Sequence, residues 1–311
     1  MDAEEQAEQE VEEDGDCVVQ VVGAFSDEIL CKLQIPRAST VLHVKRYLQA
    51  TQGINVFRQR LVISPVGPQA EDHEVLAALP GLRLQLVRLQ YVDDDQDGAD
   101  RLIHAAHQGL ALEVEQLLRL PLRPDCTTRA EDGVTALMTA SGSGHLEVVR
   151  LLCEAGADKD KADQNGETAL ILASRRGHLE VARLLCEAGA DKDKVDQYGD
   201  TALIRASIQD HPEVARLLCE AGADKDYTNE DGQTALMEAS SYGLQDVARL
   251  LCEAGADKDK ADHSGDTALW WASMNGHGDV ARLLCEAGAD MDHRCMVDWK
   301  GFVDWSQCLE P

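Results

Sequence analysis

One segment of this chain returns every 33 residues, and that return limits the fold more than any other feature. Asp132-Gly133-Val134-Thr135-Ala136-Leu137 reappears in phase at 165–170, 198–203, 231–236 and 264–269. The other half of the unit, Arg-Leu-Leu-Cys-Glu-Ala-Gly-Ala-Asp, starts at Arg150, Arg183, Arg216, Arg249 and Arg282. Such a period means one supersecondary unit copied along a line, each copy burying its apolar face against its neighbours.

Each unit reads as two short helices. Gly133 permits a tight turn, and Thr135 caps a helix through Ala136, Leu137 and Ala140. Gly144 interrupts the chain, a place taken by Asp210 in the third unit. Val148, Leu151 and Leu152 then fall at helical spacing, Gly156 suits a C-terminal cap, and residues 157–163 form a polar finger. Composition agrees: 44% of residues are hydrophobic but only 4% aromatic, as suits a stack filled by Ala, Leu and Val.

The period, with its Gly-x-Thr-x-Leu, Gly-His and Leu-Leu-x-x-x-Gly-Ala-Asp pattern, resembles ankyrin repeats. The family's usual Thr-Pro-Leu-His is here Thr-Ala-Leu followed by Met138, Ile171, Ile204, Met237 or Trp270. That departure replaces a polar link by apolar contact and puts the first helix's hydrogen bonding in question. A degenerate unit with Leu102, Ala105, Ala106, Val114, Leu117 and Leu118 precedes the five, as a capping repeat should.

The chain before the repeats has another rhythm: strand, strand, helix, strand, strand. The carrying residues, Thr40-Val41-x-x-Val44-Lys45, Arg58-Gln59-Arg60-Leu61-Val62 and Leu84-x-Leu86-Val87, resemble the ubiquitin-like β-grasp fold. By position, Val62 and Val87 match two members of the apolar patch that ubiquitin receptors grip. After Val87 the chain runs Arg88-Leu89-Gln90-Tyr91-Val92-Asp93 without a diglycine, so the resemblance implies a recognition surface rather than a conjugated modifier.

The expected organisation is therefore an acidic disordered tail (1–16), a ubiquitin-like domain (17–91) and an acidic linker (92–100). A capping ankyrin repeat (101–130), five repeats (131–292) and a C-terminal cap or tail (293–311) follow. The fold class is mainly α, a helical repeat solenoid preceded by a small α+β domain. Trp299, Phe302 and Trp305 are read as folding back over the last apolar face, a separate docking motif being the other reading.

The formal net charge is −28, with acidic runs at both the tail and the linker. A phosphate backbone would be repelled, so nucleic-acid binding is disfavoured. No apolar run is long enough to span a membrane, and the acidic start does not suit a signal peptide. The expected setting is intracellular, cytoplasmic by default, with reduced cysteines and a monomeric chain.

Cys153, Cys186, Cys219, Cys252 and Cys285 lie one repeat apart, too far for disulfides, and are read as buried packing residues. His145, His178, His211 and His277 are likewise too far apart to share a metal ion and are read as turn residues. No phosphate loop, nucleophile elbow or metalloprotease helix is present, so neither catalysis nor a cofactor is expected.

Repetition supplies an internal control for binding: invariant positions hold the scaffold, and variable ones are free to read a partner. After the apolar substitute the first helix carries Thr139, Leu172, Arg205, Glu238 and Trp271. A turn later come Gly142, Arg175, Ile208, Ser241 and Met274, then Ser143, Arg176, Gln209, Tyr242 and Asn275. In ankyrin-like stacks these first helices and the fingers line the concave face. The expected partner-binding residues are Arg175, Tyr198, Arg205, Tyr242 and Trp271, with Leu172 and Ile208. The expected role is a non-catalytic adaptor for a protein partner, its ubiquitin-like domain facing ubiquitin or proteasome machinery. A scaffold or inhibitor, with that domain only capping the array, is the alternative.

Overall fold

The computed structural model describes residues 17–23, 29–35, 41–52, 59–63, 83–88, 96–120, 122–127 and 132–291. The acidic tail and the aromatic residues Trp299, Phe302 and Trp305 lie outside the described residues. The chain divides into two compact units.

The first unit holds strands β1 (Cys17–Gly23), β2 (Ile29–Ile35), β3 (Gln59–Ile63) and β4 (Arg83–Arg88), with helix α1 (Val41–Gln52) between β2 and β3. The strands form one sheet in the order β2-β1-β4-β3. β1 and β2 pair antiparallel with an irregularity between Val21 and Val22, and β1 runs parallel to β4, from Gln20 opposite Arg83 to Gly23 opposite Leu86. A parallel pair cannot be joined by a tight turn, and here β2, α1 and β3 make up the long crossover. On α1, Val44 and Leu48 are fully buried one turn apart, whereas Tyr47 is exposed.

The second unit opens with α2 (Gln96–Gln108) and α3 (Ala111–Leu118). α2 therefore starts inside the stretch 92–100 read from sequence as linker. Asp97 sits in its first turn, where a negative charge favours the helix N-terminus and extends the helix into acidic sequence. Five helix pairs follow: α4 (Ala136–Ser143) with α5 (Leu146–Glu154), α6 (Ala169–Arg175) with α7 (Leu179–Glu187), and α8 (Ala202–Ile208) with α9 (Pro212–Glu220). α10 (Ala235–Ser241) with α11 (Gln245–Glu253) and α12 (Ala268–Met274) with α13 (Gly278–Glu286) complete the row. First helices stack on first helices, α2-α4-α6-α8-α10-α12, and second on second, α5-α7-α9-α11-α13.

Helices of seven to nine residues are not stable alone in water, so packing and caps must hold them. Leu137, Leu170, Leu203, Leu236 and Leu269 of the first helices, and Leu152, Leu185, Leu218, Leu251 and Leu284 of the second, are at most 1% exposed. The first helix of each of the five repeats starts at a threonine whose hydroxyl accepts the amide three residues on, at 3.3–3.4 Å. That cap works without the family's histidine. Met138, Ile171, Ile204 and Met237 are buried in its place, and in two repeats the methionine sulfur lies over the threonine amide (3.4 and 3.5 Å).

Second helices end in a left-handed glycine. Gly156 has φ 83°, and its neighbour Ala157 reaches back to the Leu152 carbonyl at 3.0 Å, closing the last turn. Along the finger edge the aspartates form a ladder between repeats. The amides of Asp191, Asp224, Asp257 and Asp290 donate to carboxylates 31 residues earlier, on Asp160, Asp193, Asp226 and Asp259. The first rung, Asp158 to Asp125, spans 33.

The repeat cysteines are half-buried rather than enclosed, each the next-to-last residue of its second helix. Burial still governs their chemistry. It pushes the Cys153 thiol up to about 11 and raises those of Cys186, Cys219 and Cys252. Such thiols are poor nucleophiles and poor metal ligands.

Candidate protein-interaction face

The fingers are shaped by one side chain each. Asp196 Oδ1 accepts from the amides of Tyr198 (2.9 Å) and Asp200 (3.1 Å), which folds the tip into a tight turn. Asp163 does the same for Asn165 and Glu167 (both 2.8 Å), Asn229 for Asp231 and Gln233, and Asp262 for Ser264 and Asp266. In Asp196, Asn229 and Asp262 the second polar atom reaches the first helix at the variable position, nine residues on.

What it meets there differs in each repeat. Asp196 Oδ2 accepts from Arg205 Nε at 2.6 Å, and the same guanidinium reaches Asp200 Oδ2 at 3.3 Å. Asp262 Oδ2 accepts from the Trp271 indole at 3.1 Å. Asn229 Nδ2 donates to Asp200 Oδ1 at 3.0 Å and reaches Glu238 Oε1 at 3.5 Å. Asp163, whose nine-on neighbour is the apolar Leu172, holds the Asn165 amide instead at 3.4 Å, while Arg175 pairs with Glu167.

The electrostatics centre on the third and fourth repeats. Asp196, Asp200 and Glu238 are buried, and Arg205 is the cation among them. Burial raises the Asp200 carboxyl, opposed by Asn229 and Arg205. Glu238 is pushed up to about 7, by burial first and by the charge of Asp200 second. Glu167 also rises through burial, with Arg175 pulling it back.

The residues singled out from sequence therefore separate into three groups. Arg205 has a side chain only 16% exposed and stacks 5.2 Å over the Tyr198 ring, so its guanidinium is committed inside the protein. Arg175, Leu172, Ile208 and Trp271 are half-buried, and Trp271 also meets Trp270 edge-on at 5.0 Å. Tyr198 (58%) and Tyr242 (57%) stand exposed, as does Met274. Sequence reasoning missed Asp196, Asp200, Asn229, Asp262 and Glu167 as organisers of this face. For Asp196, Asn229 and Asp262 a signal was present, an Asp or Asn two residues before the finger tip and nine before the variable position, whereas Asp200 and Glu167 lie two residues after the tip. Val62 and Val87 lie on β3 and β4, opposite Gln85 and Arg60.

Among the described residues no group of three or more His, Cys, Asp or Glu is placed to hold a metal ion. No helix among them is long and apolar enough to cross a membrane. A family model for ankyrin repeats (three copies) matches residues 76–163, 102–196, 155–229 and 221–295. Among solved structures, an ankyrin repeat domain from Acinetobacter baumannii AYE is 33% identical with a TM-score of 0.57, covering 61% of this chain and 98% of that one. The ankyrin repeat protein EF0377 is 29% identical with the same TM-score, covering 60% of this chain and 98% of its own. No curated protein gives a significant match. Ankyrin repeats generally mediate protein–protein interaction. Period, paired short helices, threonine caps and these matches agree: the chain belongs to the ankyrin repeat family.

Proposed function

We propose that this chain is a non-catalytic adaptor that grips a protein partner on the concave face formed by its first helices and fingers. The observation that carries this reading is the exposure of Tyr198 and Tyr242 at positions that vary between repeats, on a frame whose invariant leucines are buried. Tyrosine offers a rigid apolar ring with a polar tip, a common anchor in interfaces. Trp271, Arg175, Leu172 and Ile208 flank them at half-buried positions, and Arg205 holds Tyr198 in place by stacking.

The second interaction surface is the segment 17–91, read as a ubiquitin-like domain that cannot be conjugated. The order β2-β1-β4-β3, with the first and last strands parallel and the helix between β2 and β3, supports that reading. Val62 and Val87 are the residues proposed to meet ubiquitin or proteasome receptors. The adaptor works as a monomer in the cytoplasm.

Affinity capture from native lysate tests the array. The intact chain is compared with a variant carrying Tyr198→Ala, Tyr242→Ala and Trp271→Ala, Arg205 being left intact to preserve the fold. Loss of a recovered protein by the folded variant supports the concave face; unchanged recovery refutes it. Val62→Glu with Val87→Glu tests the second surface. A scaffold whose N-terminal domain only caps the array would keep every contact in that variant.

A further inference from the structure

The junctions between successive repeats are near-copies, so a departure at one can be judged against the rest. On the edge of the stack where first and second helices meet, a histidine bridges four of the five described junctions. His145 Nε2 donates to the His107 carbonyl at 3.0 Å, His178 to Gly142 at 3.2 Å, His211 to Arg175 at 3.2 Å and His277 to Ser241 at 3.1 Å. The equivalent residue in the fourth repeat is Leu244, which has no donor. The carbonyl it would have met by register is that of Ile208.

The same junction holds Asp210 at φ 56°, the one non-glycine residue with positive φ among the described residues. Its counterparts are Gly109, Gly144, Gly177 and Gly243. These two departures form one steric event. A Cβ on those glycines would lie 2.6, 2.7, 2.7 and 2.4 Å from the ring of the next repeat's histidine. At Gly276, in the last described repeat, nothing lies within 4 Å. A residue with a Cβ at 210 thus excludes a histidine at 244 in the position used everywhere else.

The finger edge of this junction is intact. Glu230 donates its amide to the Tyr198 carbonyl (3.1 Å), Asp257 to Asp226 Oδ1 (2.8 Å), and Lys260 Nζ to the Asp226 carbonyl. Asn229 adds a side-chain bond to Asp200 at 3.0 Å, one that the aspartates at this place in other repeats have no hydrogen to make. Among the described residues the junction is pinned by hydrogen bonds along the finger edge and lacks the histidine bond along the other, where the helices pack on each other.

We propose that the stack carries a hinge between its third and fourth repeats, at which α10–α13 pivot about the finger edge and part from α8 and α9 at the turn edge. Tyr198 lies before the hinge and Tyr242 after it, so opening changes the separation of the two exposed tyrosines. A ligand holding both would lock it.

Amide hydrogen exchange of the full chain, read by mass spectrometry, tests this. Peptides over 207–212 and 240–246 exchange about tenfold faster than their counterparts at the other turns, the ratio one lost hydrogen bond of ordinary net strength produces. The double variant Asp210→Gly with Leu244→His brings them to the common rate. Leu244→His alone does not, since the Asp210 Cβ occupies the place of the ring. Equal exchange at all turns of the wild-type chain overturns the hinge, and that comparison needs no variant to fold. So does a folded double variant, with helical circular dichroism intact, whose exchange at 207–212 is unchanged.

Discussion

Glu238 gives the sharpest energetic test of the structure. Glu238 is 9% exposed and faces Asp200 through Asn229, and its carboxyl is pushed up to about 7 from its ordinary 4.5. Between those two values the folded chain holds a proton that the unfolded chain has released. The stabilising contribution is therefore complete below about 4.5 and is lost as pH rises through about 7. At about 1.4 kcal/mol per pH unit, going from pH 5 to pH 8 should weaken the fold at this residue by about 2–3 kcal/mol. Glu238→Gln keeps the shape and the oxygen facing Asn229 but removes the ionisation. Urea unfolding of both proteins, followed by circular dichroism at pH 5, 6, 7 and 8, isolates the effect as a difference between them. The variant should match the wild type near pH 5 and exceed it by about 2–3 kcal/mol at pH 8. A difference that stays flat across this range, or that favours the wild type at high pH, would refute the argument that Glu238 is desolvated beside a like charge.

Three further outcomes follow from the same geometry. Arg205→Ala leaves Asp196 and Asp200 buried without their cation and should lower stability by about 3 kcal/mol, seen as a fall in the melting temperature by calorimetry. Gly177→Ala places a methyl 2.7 Å from the His211 ring at φ 74° and should cost about 2 kcal/mol in urea unfolding, whereas Gly276→Ala, meeting no neighbour, should cost about half as much. With its thiol raised from 9.0 to about 11, Cys153 should present about a hundredfold less thiolate at pH 8 than an ordinary cysteine, so alkylation mapped by mass spectrometry should be correspondingly slow in the native protein.

The repeat architecture was legible because it is written many times over. The phase of Thr135, Gly144 and Leu152 with their copies fixes caps, turns and core positions, and even the Asp210 exception appears in sequence before its φ of 56° is seen. The candidate face was legible only as a set of variable positions. Sequence could not tell which of them are occupied within the protein: Arg205 reads as a surface anchor until Asp196 and Asp200 are placed on either side of it. Glu238 differs from Arg205 and Trp271 in the same way, since its burial depends on Asn229 and Asp200, 9 and 38 residues away. Such pairings join residues across the junction between repeats, and a period shows that a junction exists without showing what crosses it. The beginning of α2 at Gln96 was hidden for another reason, because acidic residues at a helix N-terminus look the same as a solvated linker.

The aspartate ladder bears on how this chain came to have its length. Each finger offers an amide to the unit before it and a carboxylate to the unit after it, so every copy arrives with both halves of its connection. Duplicating or deleting one whole unit between Asp160 and Asp290 leaves each remaining rung at the same 31-residue reach. Losing or gaining a single residue in a finger does not. Copy number along this edge is thus a nearly neutral variable while finger length is held fixed, and only the first rung, with its reach of 33, marks where the counting starts.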